Sequence, residues 1–366
     1  MDVVKKNLSL ICLSLLPVLL FSQSTLEVTD SIKPVRLTGH PIISYTPETN
    51  WIFGAAAVII LRTEKLENIH QNPTTINPFF FFSLRKQYQF VGTGDFYFGK
   101  NFLNARVEMG RLPFDYYGLG NFTDSESEVF AIKRSGIRIG AMRHITERIL
   151  TGADFIWYYN KISDFVEDGQ LITDSPDGLA PGYLLGIGPS VGFDSRDNIV
   201  YPHNGIYVRS NINLLLPGLK GDYHYTDFSI DARKYFSTRD KKNTLALQSG
   251  FTFQSNENVP FYELNRVGGE TRLRGILSQR YMDTKRGMAQ VEYRRKLPFY
   301  LGFVLFGGAG KVFHEFSEMN FGDLKYSYGF GFRWMIIPQE LTNFRIDFGY
   351  GSNGEKGIYV GINEVF

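Results

Sequence analysis

The sequence predicts an all-β chain: a transmembrane antiparallel β-barrel of about sixteen strands with a long extracellular loop. Three observations lead there. From residue 40 onward, apolar residues alternate with polar or small ones at period two, the spacing that puts side chains on opposite faces of a strand. The 366 residues include 32 Phe, 21 Tyr and 37 Gly, a composition suited to many short strands with unlike faces. The amino terminus carries an export leader, and no later stretch has the length and apolarity of a membrane helix.

The leader comes first. Lys5 and Lys6 precede an apolar run from Leu8 to Phe21, and Ser22, Gln23 and Ser24 supply small residues at the cleavage spacing. Residues 1–24 are therefore expected to be a signal peptide, 25–39 a short periplasmic segment without periodicity, and 40–366 an outer-membrane barrel. The only cysteine, Cys12, falls in the leader, so the mature chain has no internal disulfide and no thiolate metal site. Charge is nearly balanced, 39 Lys+Arg against 37 Asp+Glu, which leaves no footprint for nucleic acid.

The strands are read at 40–46, 51–62, 76–86, 88–99, 101–110, 130–142, 148–159, 183–194, 204–215, 222–236, 241–255, 286–296, 300–312, 324–337, 341–350 and 357–366. Typical is Tyr326, Tyr328, Phe330, Phe332 and Trp334 on one face, with Lys325, Ser327, Gly329, Gly331 and Arg333 opposite. Alternation alone is also compatible with a soluble sandwich. Segments of about ten residues, with Tyr and Trp near their ends, suit a lipid-facing band and a polar lumen instead. An even strand number puts both termini in the periplasm, and 256–285 then becomes the longest outward loop.

Few motifs suggest chemistry. Gly188-Pro-Ser190-Val-Gly192 has the form of a hydrolase nucleophile elbow, but it lies within an alternating strand with no helix behind it. The six histidines, at 40, 70, 144, 203, 224 and 314, have no metal-ligand spacing. Asp194 to Asn198 has calcium-capable side chains without a binding-loop pattern. No enzymatic activity, metal or cofactor is expected.

Several runs occur together in order. Gly192-Phe-Asp194-Ser-Arg196-Asp197-Asn-Ile-Val-Tyr-Pro202-His-Asn-Gly205 resembles the conserved turn of the BamA/TamA superfamily, the bacterial surface antigen family. Gly268-Gly269 followed by Leu273-Arg274-Gly275-Ile276 resembles the tip of that family's sixth extracellular loop. Gln290-Val-Glu292-Tyr-Arg294-Arg-Lys-Leu297-Pro298 and Phe306-Gly-Gly-Ala-Gly310-Lys-Val312 resemble its next two strands. Tyr359-Val360-Gly-Ile362-Asn-Glu-Val-Phe366 resembles the terminal signal by which barrels are recognised for assembly.

The resemblance implies that the long loop folds into the lumen, where Arg274 and Gly275 lock it to the wall. Two positions depart from the family: Gly308 stands where an aspartate is usual, and Ile276 where an aromatic is usual. Glu292 and Asp347, which face the lumen by alternation, are then the available carboxylates. The chain has no room for the periplasmic POTRA modules of family insertases and translocases.

The function implied is assistance to insertion or translocation of protein or lipid at the outer membrane. The expected partners are outer-membrane lipid and lipopolysaccharide, the barrel-assembly machinery for its own insertion, and a periplasmic partner or client protein. The alternative is a passive pore, with lumen charges such as Arg138, Arg233, Arg294, Arg345 and Asp347 setting ion preference.

Overall fold

The computed structural model describes residues 35–46, 50–61, 74–84, 86–123, 126–218, 221–255, 258–338 and 341–366. The expected signal peptide, the start of the segment after it and the connection at 62–73 lie outside the described residues.

Sixteen strands form one antiparallel sheet in chain order. They are β1 (Val35–Thr46), β2 (Asn50–Leu61), β3 (Thr74–Ser83), β4 (Tyr88–Phe98), β5 (Asn101–Tyr116), β6 (Glu128–His144), β7 (Ile149–Ser163), β8 (Gly182–Asp194), β9 (Gly205–Leu215), β10 (Tyr225–Ser237) and β11 (Asn243–Gln254). After the long loop follow β14 (Lys285–Lys296), β15 (Leu301–Phe313), β16 (Lys325–Ile337), β17 (Thr342–Gly351) and β18 (Lys356–Ile362). Within that loop, β12 (Asn265–Arg266) and β13 (Met282–Asp283) pair with each other alone. A five-residue helix α1 (Gln170–Asp174) sits in the loop between β7 and β8.

The faces follow the alternation. On β16, Tyr326, Tyr328, Phe332 and Trp334 are exposed outward, while Ser327 and Arg333 are buried within. On β17, Arg345 and Asp347 point inward between Phe344, Ile346 and Phe348. A continuous apolar outer face is what lipid requires, and a barrel satisfies every ladder group that lipid could not.

Three expectations need correction. First, β1 begins at Val35 rather than at residue 40, so part of the expected periplasmic segment is strand. Val35 and Leu37 are exposed and alternate with Arg36 and Thr38, but Gly39 and Pro41 break up this short signal. Second, β5 continues past 110 to Tyr116 through Pro113. β4 stops pairing at Arg111, so the rest of β5 has β6 as its ladder partner. Proline is tolerated on such an edge. Third, β18 ends at Ile362, and Asn363, with φ of 65°, turns the last residues into the lumen.

The lumen is also less polar than expected. Inward side chains of β5 to β10, among them Phe114, Phe130, Ile156, Leu184 and Tyr225, form one buried apolar cluster with Val259, Phe261, Tyr262 and Leu264 of the long loop. Phe261 is at its centre, edge-on to Phe114, Tyr116 and Phe130 at centroid distances of 5.6, 5.7 and 5.7 Å. The loop brings its own apolar residues, so the wall facing it is apolar too. A plug of this kind fills the loop end of the barrel.

Candidate functional site

The long loop has internal structure before it meets the wall. Gly268 bridges to Leu273, and the Gly269 N–H donates to the Ile276 carbonyl at 3.1 Å, closing a compact turn. Val267, Leu273, Ile276 and Tyr281 pack with Val312 of β15 in a small buried core. Both positions that depart from the family pattern border this core. Ile276 fills an aliphatic site, and a Cβ at Gly308 would lie 2.8 Å from Leu273 Cδ2, in space that the leucine already uses.

The turn presents Arg274 to the wall at backbone contact distance. Gly275 has φ of 108°, a conformation that glycine adopts without strain. Opposite it, a Cβ at Gly349 would lie 2.6 Å from the Arg274 carbonyl carbon. Glycine on both sides lets the two backbones touch. The Gly275 N–H then donates to the Tyr359 hydroxyl of β18 at 2.9 Å.

Arg274 is fully buried, as are both carboxylates that it meets. Its Nη1 donates to Asp347 Oδ2 at 2.6 Å, and its Nη2 pairs with Glu292 Oε1. Its guanidinium also stacks 3.7 Å from the Phe306 ring centroid. Asp347 accepts from Arg333 at 2.5 Å and Arg345 at 2.9 Å. Glu292 accepts from Arg294 Nε at 2.9 Å, and Arg294 Nη2 donates to the Phe366 carbonyl at 2.6 Å. Glu364 accepts from Arg333 Nε at 2.9 Å, while Glu270 of the loop pairs with Arg345.

Four arginines thus meet four carboxylates. An isolated buried guanidinium would cost several kcal/mol, and a hydrogen-bonded network that balances charge offsets that cost. The arrangement ties the loop tip to β14, β16, β17 and the tail after β18. A second tie lies at the loop end, where Glu355, between β17 and β18, accepts from the Leu277 N–H at 2.6 Å and pairs with Arg280 at 3.2 Å. Burial raises the Glu355 carboxyl above its ordinary value despite these donors.

The expected turn motif is a separate structure at the opposite end of the barrel. Arg196 donates to Asp194 through Nε at 3.0 Å and Nη2 at 2.7 Å. Asp197 Oδ1 accepts from the His203 and Asn204 N–H groups at 2.8 and 3.0 Å, closing the loop back on itself. Gly205, with φ of 117°, has no room for a side chain against the Ser195 carbonyl oxygen. Pro202 precedes buried His203, whose Nε2 receives Lys296 Nζ at 3.0 Å. Burial and the Lys296 charge push the His203 imidazole down to about 4.

The terminal residues divide. Val360 and Ile362 point outward from β18, Tyr359 inward to the loop tip. Phe366 leaves the sheet and packs on Tyr235 and Ala246 in the lumen. A recognition signal acts on the chain before it folds, so this final position neither supports nor opposes that role. Arg333, Glu364, Glu270 and Phe306 were not singled out from sequence, although inward parity on β16 marks Arg333. Ser190 lies in mid-strand on β8, opposite Gly152 and Asn211, without the strand-to-helix turn of an elbow. Among the described residues no His, Cys, Asp and Glu cluster could hold a metal ion.

Sheet, plug and lock define the class: an outer-membrane β-barrel with one of its own loops folded into the lumen. The family model described as the Omp85 superfamily domain matches residues 84–366, and the chain belongs to that superfamily. Among solved structures it is similar to BamA from Haemophilus ducreyi lacking POTRA domains 1–3, with a TM-score of 0.56 and 14% identity over 90% of this chain and 69% of that one. CdiB from Acinetobacter baumannii gives a TM-score of 0.58 at 13% identity over 91% of this chain. CdiB from Escherichia coli gives 0.60 at 9% over 91%. This chain spans 60% and 63% of the two CdiB chains. At these identities the likeness is one of fold. No curated protein matches by sequence.

Proposed function

We propose that the barrel assists insertion or translocation of protein or lipid at the outer membrane by opening at the seam between β1 and β18. One observation carries this reading. β1 has twelve residues and β18 seven, so the closing strands cannot pair along the full length of β1. Pro41 within β1 further lacks a ladder donor, and Gly357 and Gly361 weaken β18. An under-paired seam exposes strand edges that can template an incoming strand.

The lock contributes by holding the last strands, through Arg274 on Asp347 and Gly275 on Tyr359, while the first strands remain free to part from them. In this reading both termini lie in the periplasm, with the turn motif at that end and the long loop entering from outside. Outer-membrane lipid, lipopolysaccharide, the assembly machinery and a periplasmic or client protein remain the partners that fit. The passive-pore alternative is less well supported, because the Phe261 cluster and the loop occupy the lumen.

The test is a scan of cysteine pairs across the seam in a liposome insertion assay. Oxidation should abolish activity, and reduction should restore it. Full activity with the seam cross-linked would rule out lateral opening.

A further inference from the structure

Beneath the aromatic plug lies a second polar feature that the lock does not use. A chamber of about 370 Å³ is bounded by the inner faces of β5 to β11, by the long loop and by the start of β14. Along β5, Phe114 and Tyr116 lie nearer the loop end than Arg106, and along β6, Phe130 lies nearer it than Arg134 and Arg138. The plug therefore separates the chamber from the loop end of the barrel.

Six arginines and three carboxylates line this chamber. Two arginines are matched: Arg134 with Glu263 at 2.6 Å and Arg106 with Glu108 at 3.1 Å. Asp227 is attracted to the sixth arginine, Arg138, and is hydrogen-bonded by Gln254 and Asn213. Among the described residues Arg266, Arg272 and Arg286 form no close ion pair, although Glu263 attracts Arg266 and Asp227 and Asp231 attract Arg286. Their bonds go to main-chain carbonyls: Arg266 to Tyr262 at 2.6 Å, Arg272 to Gly268 at 2.8 Å and Arg286 to Arg266 at 3.0 Å. Nε of Arg266 and of Arg286 is buried without a partner. Arg272 is close enough to repel both.

The contrast with the lock is direct. Two positions from Arg272 in the chain, Arg274 meets two carboxylates, whereas Arg272 meets none. Three guanidinium groups held in place by carbonyls, one repelling the other two, and partly withdrawn from water, form a preorganised site for a multiply charged anion. The volume falls within the range of small-ligand pockets, roughly 300–1,000 Å³. Tetrahedral phosphate, with several oxygens for the planar donor forks, matches this set better than a single carboxylate.

We propose that the chamber binds a phosphate-bearing anion through Arg266, Arg272 and Arg286. The site stands apart from the Arg274 network and does not depend on the seam opening. The phosphate can belong to a soluble molecule or to a lipid headgroup that reaches the lumen.

The experiment uses the full chain folded in detergent, titrated calorimetrically with inorganic pyrophosphate at fixed ionic strength. A parallel arm reconstitutes it in phosphatidylcholine vesicles with or without diphosphoryl lipid A and measures lipid A retained after extraction. Saturable pyrophosphate binding, weakened at least tenfold in Arg272→Gln/Arg286→Gln, supports a soluble ligand. Lipid A retention that the same double substitution removes supports a headgroup. The double variant should melt no lower than the parent, because it loses unpaired cations and no ion pair. If it does not fold, Arg266→Gln alone takes its place. Absence of both binding and retention, or binding that survives the substitutions unchanged, overturns the proposal.

Discussion

Arg274 and Asp347, 73 residues apart in sequence, meet inside the barrel with Nη1 2.6 Å from Oδ2. The contact joins the tip of a loop to the penultimate strand of the sheet. Its strength comes from its surroundings, since Asp347 also holds Arg333 and Arg345, and Arg274 also holds Glu292. Removing one member leaves the others buried and imperfectly paired.

Arg274→Ala should therefore cost about 3–5 kcal/mol, the range for breaking a buried ion pair. The loss should fall on the loop first. Limited proteolysis of the folded protein should give a new cut within 258–284, and the heat-modified band shift should begin at a lower temperature. Arg274→Lys should fall in between, because an ammonium group cannot span both carboxylates with a planar fork.

Gly349→Val tests the backbone approach without touching a charge. A Cβ there meets the Arg274 carbonyl group, so the tip must retreat and the Arg274–Asp347 bond must lengthen. Overpacking of this kind costs about 1–3 kcal/mol. The same protease cut should appear as in Arg274→Ala, although all four arginines remain.

How much of this was legible in the sequence can be judged from the same residues. Alternation in Phe344 to Tyr350 placed Asp347 on the inner face, and that in Gln290 to Arg294 did the same for Glu292. That both would reach one guanidinium depends on the strand registers, such as Gly331 opposite Asp347 and Glu292 opposite Phe306. No single strand encodes its stagger against the next. Inward parity on β6 passes through Arg138 and Arg134 to Ile132 and Phe130, so the apolar plug had a signal in the strand. Its partner, Phe261, sits in a loop without periodicity, and only the fold brings the two together. The inward turn of Phe366 had a faint signal, because Glu364 falls on the outward parity of Val360 and Ile362 and breaks the alternation there.

Phe261→Ala removes the centre of the plug. A large-to-small change at a fully buried aromatic costs about 3–5 kcal/mol. The expected result is a lower melting temperature, with the Arg274 network still protecting the loop tip from protease.

The turn at 195–204 should depend on pH. His203 is held near 4 from an ordinary 6.5, so the folded turn favours the neutral ring. As pH falls through about 6.5 the unfolded chain takes up a proton that the folded turn refuses until near 4, and stability is lost across that window. Asp197 keeps its charge there, its carboxyl lowered by the Asn204 and His203 N–H donors against the opposing effect of burial. Proteolysis within the turn should rise between neutral pH and pH 4.5, and His203→Gln should flatten that dependence.

Arg274 holds a loop that closes the lumen. Single-channel recording in planar bilayers tests this most directly, comparing the parent with Arg274→Ala. A small parent conductance that becomes larger and flickering in the variant is predicted. A steady, large parent conductance that Arg274→Ala leaves unchanged would show that Arg274 holds no such closure.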